Sequence, residues 1–207
     1  MNKGVTKEIF QMQGVPTPVG LHVLHSQKDL PLSDLGFSLP VVVKPCSGGS
    51  SLGVHIVHTD EEYREAMRQS FLKEDEVVIE PFINGREYAC GIFDGKALPL
   101  VEIVPSDGFF DYTEKYTLKS SKIHMPARVD EQMEKKIQET AKQIYRALAC
   151  KGFARVDLFL TPEQKLVFNE VNTIPGFTSH SRYPNMMKGI GMTFSEILER
   201  LIELEVR

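Results

Sequence analysis

The run Phe153-Ala154-Arg155-Val156-Asp157-Leu158-Phe159-Leu160, the polar break Thr161-Pro162-Glu163-Gln164, and the run Leu166-Val167-Phe168-Asn169-Glu170-Val171 decide how this chain is read. Both runs are rich in β-branched and aromatic residues and are joined by a short turn, so they predict an antiparallel hairpin. Strand side chains alternate between faces, which puts Arg155 and Asp157 on one face of the first strand and Glu170 and Asn172 on one face of the second. Pairing brings the four together. Two carboxylates and an amide oxygen are hard ligands suited to Mg²⁺, whose octahedron is commonly completed by phosphate oxygens and water, so the implied ligand is a nucleotide phosphate. The planar fork of Arg155 suits a phosphoryl or acyl-phosphate group beside them. On a half-exposed sheet the same acids would form ordinary surface salt bridges. Against that, both lie inside apolar strands, where an unpaired charge is costly.

Working outward, Ile137, Ala141, Ile144, Tyr145 and Leu148 recur at helical spacing before the hairpin, and Gly152 stands just beyond them as a stop. Asp94-Gly95 marks a tight turn between strands Glu87 to Phe93 and Lys96 to Val104. Between Pro105 and Ser121 the chain is polar, aromatic and without period, which points to a binding loop. The first part reads as a helix from Val5 to Gln13 ended by Gly14, then an extended Pro16-Thr17-Pro18 connection. Strands follow at Val41 to Val43, Gly53 to His58 and Val77 to Ile83, with a helix opened by Thr59 and Glu62 between the last two. Thr193 to Glu196 opens a final helix carrying Ile197, Leu198, Leu201 and Ile202. The stretch Ser47-Gly48-Gly49-Ser50-Ser51-Leu52-Gly53 lets backbone amides approach phosphate oxygens, with Lys44 as a point charge at the strand end. It lacks the GKS or GKT ending and the following helix of a Walker loop, and alone it reads equally well as a hairpin connection.

A formal charge of −4, from 24 Lys and Arg scattered among 28 Asp and Glu, gives no basic footprint for nucleic acid or an anionic membrane. Cys46, Cys90 and Cys150 are odd in number and lack metal-like spacing, which reads as free thiols in a reducing, cytoplasmic compartment. No apolar run approaches the ~20 residues that span a bilayer, and Met1-Asn2-Lys3 begins no signal-peptide core.

In order along the chain stand VVVKP, GGSSLG, VIEPFINGRE, FFDYTEKY, GFARVDLF and NEVNTIPGFTSHSRYP. On these motifs the chain resembles, over nearly its whole length, the D-alanine-D-alanine ligases of bacterial cell-wall synthesis, members of the ATP-grasp superfamily. The resemblance implies an α+β fold of two subdomains, 1–83 central and 84–207 C-terminal and catalytic, whose mainly antiparallel sheets enclose the nucleotide. It also implies that the family's N-terminal domain is absent. Lys3, Lys44, Ser47, Gly49, Ser50, Ser51, Lys115, Asn169 and Glu170 would bind ATP about its phosphates, with Glu80, Phe82 and Ile83 at the adenine and Glu87 at the ribose. Asp157, Glu170 and Asn172 would hold two Mg²⁺, with Mn²⁺ as a substitute. Arg155, the Gly176 amide, Lys115 and Tyr116 would be catalytic. Ser181 and Arg182, with Tyr116, would hold the second substrate, and His180 would orient that loop.

The reaction so implied transfers the ATP γ-phosphate to the carboxylate of D-alanine, and the amine of a second D-amino acid displaces it, with no protein nucleophile. D-alanine is the expected acceptor. The Ser181-Arg182-Tyr183-Pro184 run resembles the vancomycin-resistance ligases and keeps D-serine as the alternative, whereas Lys115-Tyr116 looks like amine-using enzymes and argues against D-lactate. An ATP-binding fragment without activity of its own is a further alternative, and the resemblance implies a homodimer for the full-length enzyme.

Overall fold

The computed structural model describes residues 2–47, 49, 52–104, 122–178 and 181–206. Two antiparallel sheets organise them. The first joins β1 (Leu21–Leu24), β4 (Glu76–Pro81), β2 (Val41–Pro45) and β3 (His55–Val57), in that spatial order. Val41 and Val43 point to its buried face, where α2 (Asp60–Phe71) packs Tyr63, Ala66, Met67 and Ser70, residues one helical turn apart. Thr59 caps α2 by accepting from the Glu62 N–H.

The second sheet runs β10 (Leu166–Asn172), β9 (Phe153–Leu160), β5 (Arg86–Phe93), β7 (Val101–Val104) and β8 (Lys122–His124), with β6 (Lys96–Ala97) also paired to β5. On one face α3 (Glu131–Ala147) lays down Ile137, Ala141, Ile144 and Tyr145 over Tyr88, Cys90, Val156 and Leu158. On the other face, α4 (Arg182–Gly189) and α5 (Phe194–Val206) cover one end through Tyr183, Met186 and Ile197. The Tyr183 hydroxyl donates to the Ile92 carbonyl at 2.7 Å, tying α4 to β5. The rest of that face is left for a site.

The first helix, α1 (Lys3–Met12), joins the two sheets. Phe10 meets Phe168 edge-on at 4.7 Å in the second sheet's core, while Lys7 reaches Glu80 in the first sheet. Asn2 caps α1 by accepting from Val5 N–H, and Gly14 ends the segment at φ +67°, a conformation that favours glycine.

Three expectations change. The strand expected over Lys96 to Val104 breaks at Leu98-Pro99-Leu100, because Pro99 has no N–H for the ladder. β6 therefore pairs with Ile92 and Phe93, and β7 with Glu87 to Ala89. The strand expected to reach Ile83 ends at Pro81, after which Phe82 N–H turns to the Pro40 carbonyl. Finally β1, β8 and α4 were not foreseen: β1 and β8 are three or four residues long, and α4 carries Pro184 in its first turn, where proline is tolerated. No helix among the described residues is long and apolar enough to cross a membrane.

Candidate active site

The β9–β10 ladder opposes Glu170 to Asp157 and Asn172 to Arg155. A register shift between Phe168 and Glu170 makes this possible. Leu166 and Phe168 point into the core, and strict alternation would send Glu170 after them. Asn169 is the extra residue, a β-bulge that reverses the phase, so Val171 points inward and Glu170 and Asn172 point out to the site. Arg155 grips Asp157 through both arms of its fork, Nε to Oδ1 at 2.8 Å and Nη2 to Oδ2 at 2.7 Å, and stands 3.8 Å from Glu170 Oε1. Asn172 donates to Glu170 Oε1 at 3.0 Å. Asp157 is 2% exposed. Burial works against the charge of Arg155, but Asp157 together with Glu170 and Glu87 outweighs it and raises the guanidinium's pKa further.

Beside this cluster lies a cavity of about 380 Å³ between the two sheets. Val42, Val54, Phe82 and Ile83 make part of its wall apolar, while Lys3, Lys44, Glu87 and Glu170 supply charge, and Gly49 and Asn169 also line it. Glu80 sits on the floor, bound to Lys44 Nζ at 2.5 Å and Lys7 Nζ at 2.6 Å. Burial pushes the Glu80 carboxyl up, yet the two lysines together hold it below the usual range. Burial holds the Lys3 ammonium below its ordinary value despite Glu170 nearby. Lys7 was not foreseen. Its signal was the i, i+4 spacing from Lys3, which puts both on one side of α1.

Downstream, a Cβ on Gly176 would stand 2.9 Å from Ser181 Oγ, which accepts from the Thr178 N–H at 3.0 Å. Arg182 opens α4 and lies within electrostatic range of Asp157, Arg155, Glu87 and Glu170; burial holds its guanidinium below the usual range. Ser47 N–H is bound by Glu74 Oε2 at 2.9 Å. Ser50, Ser51, Lys115, Tyr116 and His180 lie outside the described residues.

A protein-family model described as the D-ala D-ala ligase C-terminus matches residues 23–203. The chain belongs to that family. It is 38% identical over 202 residues to a D-alanine--D-alanine ligase of Geotalea uraniireducens, covering 98% of this chain and 65% of that protein. Among solved structures it is similar to the VanG D-Ala:D-Ser ligase of Enterococcus faecalis, with a TM-score of 0.87, 46% identity, and coverage of 99% of this chain and 61% of that one. It is also similar to the Bacillus anthracis D-alanine--D-alanine ligase complexed with ATP, with a TM-score of 0.84, 32% identity and coverage of 100% and 66%. The fold is thus the family's α+β, ATP-grasp arrangement, and the chain spans about two thirds or less of each of these relatives.

The residues fit a magnesium nucleotide. The cavity offers an apolar wall for a base, and buried Lys44 with half-buried Lys3 for an anion. The donor set at its rim is carboxylate and amide oxygen, the chemistry Mg²⁺ prefers.

Proposed function

We propose that this chain is the ATP-binding and catalytic part of a D-alanine-D-alanine ligase of peptidoglycan precursor synthesis. The observation that carries the reading is the opposed Asp157 and Glu170, with Arg155 and Asn172, at the rim of a cavity holding two lysines. The division at 83/84 follows the two sheets, with α1 bridging them. Phe82 and Ile83 would contact the adenine, Glu80 its edge and Glu87 the ribose, and Lys3, Lys44, Gly49, Asn169 and the serines of the loop would bind the phosphates. Two Mg²⁺ on Asp157, Glu170 and Asn172, for which Mn²⁺ substitutes, would neutralise phosphate charge. Asn172 would turn its amide oxygen toward the site, and Arg155 would release part of its grip on Asp157 to meet the acyl-phosphate. The Gly176 amide, Lys115 and Tyr116 would complete that pocket. Arg182 and Ser181, at the start of α4, would bind the carboxylate of the second amino acid. Both substrates would be D-amino acids, the first D-alanine. The part of the relatives' length that this chain does not span would contribute to the first site, and the enzyme would work as a cytoplasmic protein, dimeric when full-length.

Calorimetric titration tests the nucleotide site: the chain should bind Mg-ATP, and Glu170→Gln should weaken that at least about tenfold. Equal binding by both would overturn the assignment. The second reading, D-serine as acceptor, is favoured by the 46% identity to VanG. Phosphate release with D-alanine against D-serine, measured on a protein carrying the relatives' remaining length, decides between them.

A further inference from the structure

Three side chains outside the nucleotide site converge from separate stretches. His22 on β1, Cys46 just after β2 and Glu76 at the start of β4 bring a ring nitrogen, a thiol sulfur and a carboxylate oxygen within 4.8 Å of one another. The sheet order explains it, since β4 lies between β1 and β2.

Both nitrogens of the His22 ring face carboxylates, Nδ1 at 3.3 Å from Glu8 Oε1 and Nε2 at 3.0 Å from Glu76 Oε2. A neutral imidazole has only one N–H, so with that proton on Nδ1 toward Glu8 the Nε2 lone pair is available to a metal ion beside Glu76. A carboxylate on the far nitrogen is the usual partner of a metal-ligating histidine, fixing its tautomer and orientation. Burial pushes the Cys46 thiol up to about 11, and the Gly4 N–H it accepts from in the first turn of α1 offsets only part of that. Gly4 is also the cradle of the ring: a Cβ there would stand 2.7 Å from His22. Asn2 Nδ2 fixes the Glu76 carboxylate at 2.5 Å.

We propose that His22 Nε2, Cys46 Sγ and Glu76 bind a divalent transition metal of the zinc class, with a water or outside ligand completing a tetrahedron. Nitrogen, sulfur and oxygen ligands together suit zinc, whereas Mg²⁺ takes oxygen alone. Zinc bonds of about 2.0–2.3 Å place tetrahedral neighbours roughly 3.3–3.7 Å apart, so separations near the 4.8 Å limit close by about an ångström while His22 Nε2 and Glu76 Oε2, 3.0 Å apart, open slightly. His22 and Glu76 are partly exposed and give entry, and buried Cys46 closes the bottom. On binding, the thiol S–H bond is replaced by a sulfur–metal bond and the proton leaves to solvent. Occupancy ties three neighbouring strands together one residue before Ser47, where the glycine-serine stretch begins.

Titration of the full chain with Co²⁺ tests this. One equivalent should produce a thiolate-to-cobalt charge-transfer band, absent in Cys46→Ser and weaker in affinity by at least about tenfold in His22→Asn and Glu76→Gln. Circular dichroism checks that each variant is folded. Glu170→Gln should keep the band, since the carboxylate hairpin holds no sulfur, and this separates the two sites. Zn²⁺ should displace the cobalt and raise the Tm of the parent chain but not of Cys46→Ser. No charge-transfer band, a band surviving Cys46→Ser because another thiol carries it, or equal Zn²⁺ affinity across parent and variants would each overturn the proposal.

Discussion

Replacing Lys7 by Met tests the buried charge group beneath the cavity. Glu80 lies between Lys44 at 2.5 Å and Lys7 at 2.6 Å, and none of the three side chains is more than 11% exposed. Methionine keeps the length of the chain and removes one cation. A charge-assisted hydrogen bond contributes about 1.5–3 kcal/mol, and stripping one partner from a buried pair costs about 3–5 kcal/mol. Lys44 still compensates Glu80 in the variant, so the lower values apply, a loss of about 2–3 kcal/mol. For a chain of this length that lowers Tm by roughly 4–12 °C. Urea unfolding of the parent, Lys7→Met, Glu80→Gln and the double variant should give a coupling of about 2 kcal/mol at pH 7. Glu80's folded pKa is depressed below 4.5, because its two lysines outweigh the opposing effect of burial. A depressed carboxyl adds stability that is complete above its unfolded pKa and is lost as pH falls through the folded one. The coupling should therefore hold at pH 7 and shrink on acidification below pH 4.5. A coupling under about 0.5 kcal/mol at pH 7, or one indifferent to acid, refutes the assignment.

Two further outcomes follow from close contacts. Gly20→Ala would place a Cβ 2.6 Å from the Ile79 carbonyl oxygen and 2.8 Å from Glu80 Cγ, and since backbone cannot step aside it should cost about 1–3 kcal/mol by urea unfolding. Asp157→Asn leaves the buried Arg155 fork without its paired carboxylate, with Glu170 at 3.8 Å and Glu87 as more distant counter-charges, and should lose about 3 kcal/mol together with Mn²⁺ binding measured by calorimetry.

Much of the fold was legible because its elements are locally marked. The Thr193–Glu196 capping box is present in both directions, Thr193 N–H to Glu196 Oε2 at 2.7 Å and Glu196 N–H to Thr193 Oγ1 at 3.3 Å. The apolar stripe of α3 and the Asp94-Gly95 turn were equally local signals. β1 escaped because a four-residue strand containing a histidine has too little period to read, and its pairing with β4 is what makes it a strand. The Lys7–Glu80 contact joins residues 73 apart in sequence, beyond any local pattern. The same holds for His22, Cys46 and Glu76, where counting cysteines alone gave no hint of a metal cluster.

The sequence by itself determined which groups are candidates for the chemistry: a strand with Arg155 and Asp157, a strand with Glu170 and Asn172, and a lysine before a glycine-serine stretch. Only the tertiary structure decided which way the second strand's carboxylate points. Two-residue alternation sends Glu170 after Leu166 and Phe168 into the core, and the bulge at Asn169 turns it out to oppose Asp157. A bulge exists only against a partner strand, since it is a mismatch in pairing, two residues facing one, and no single strand's pattern contains it.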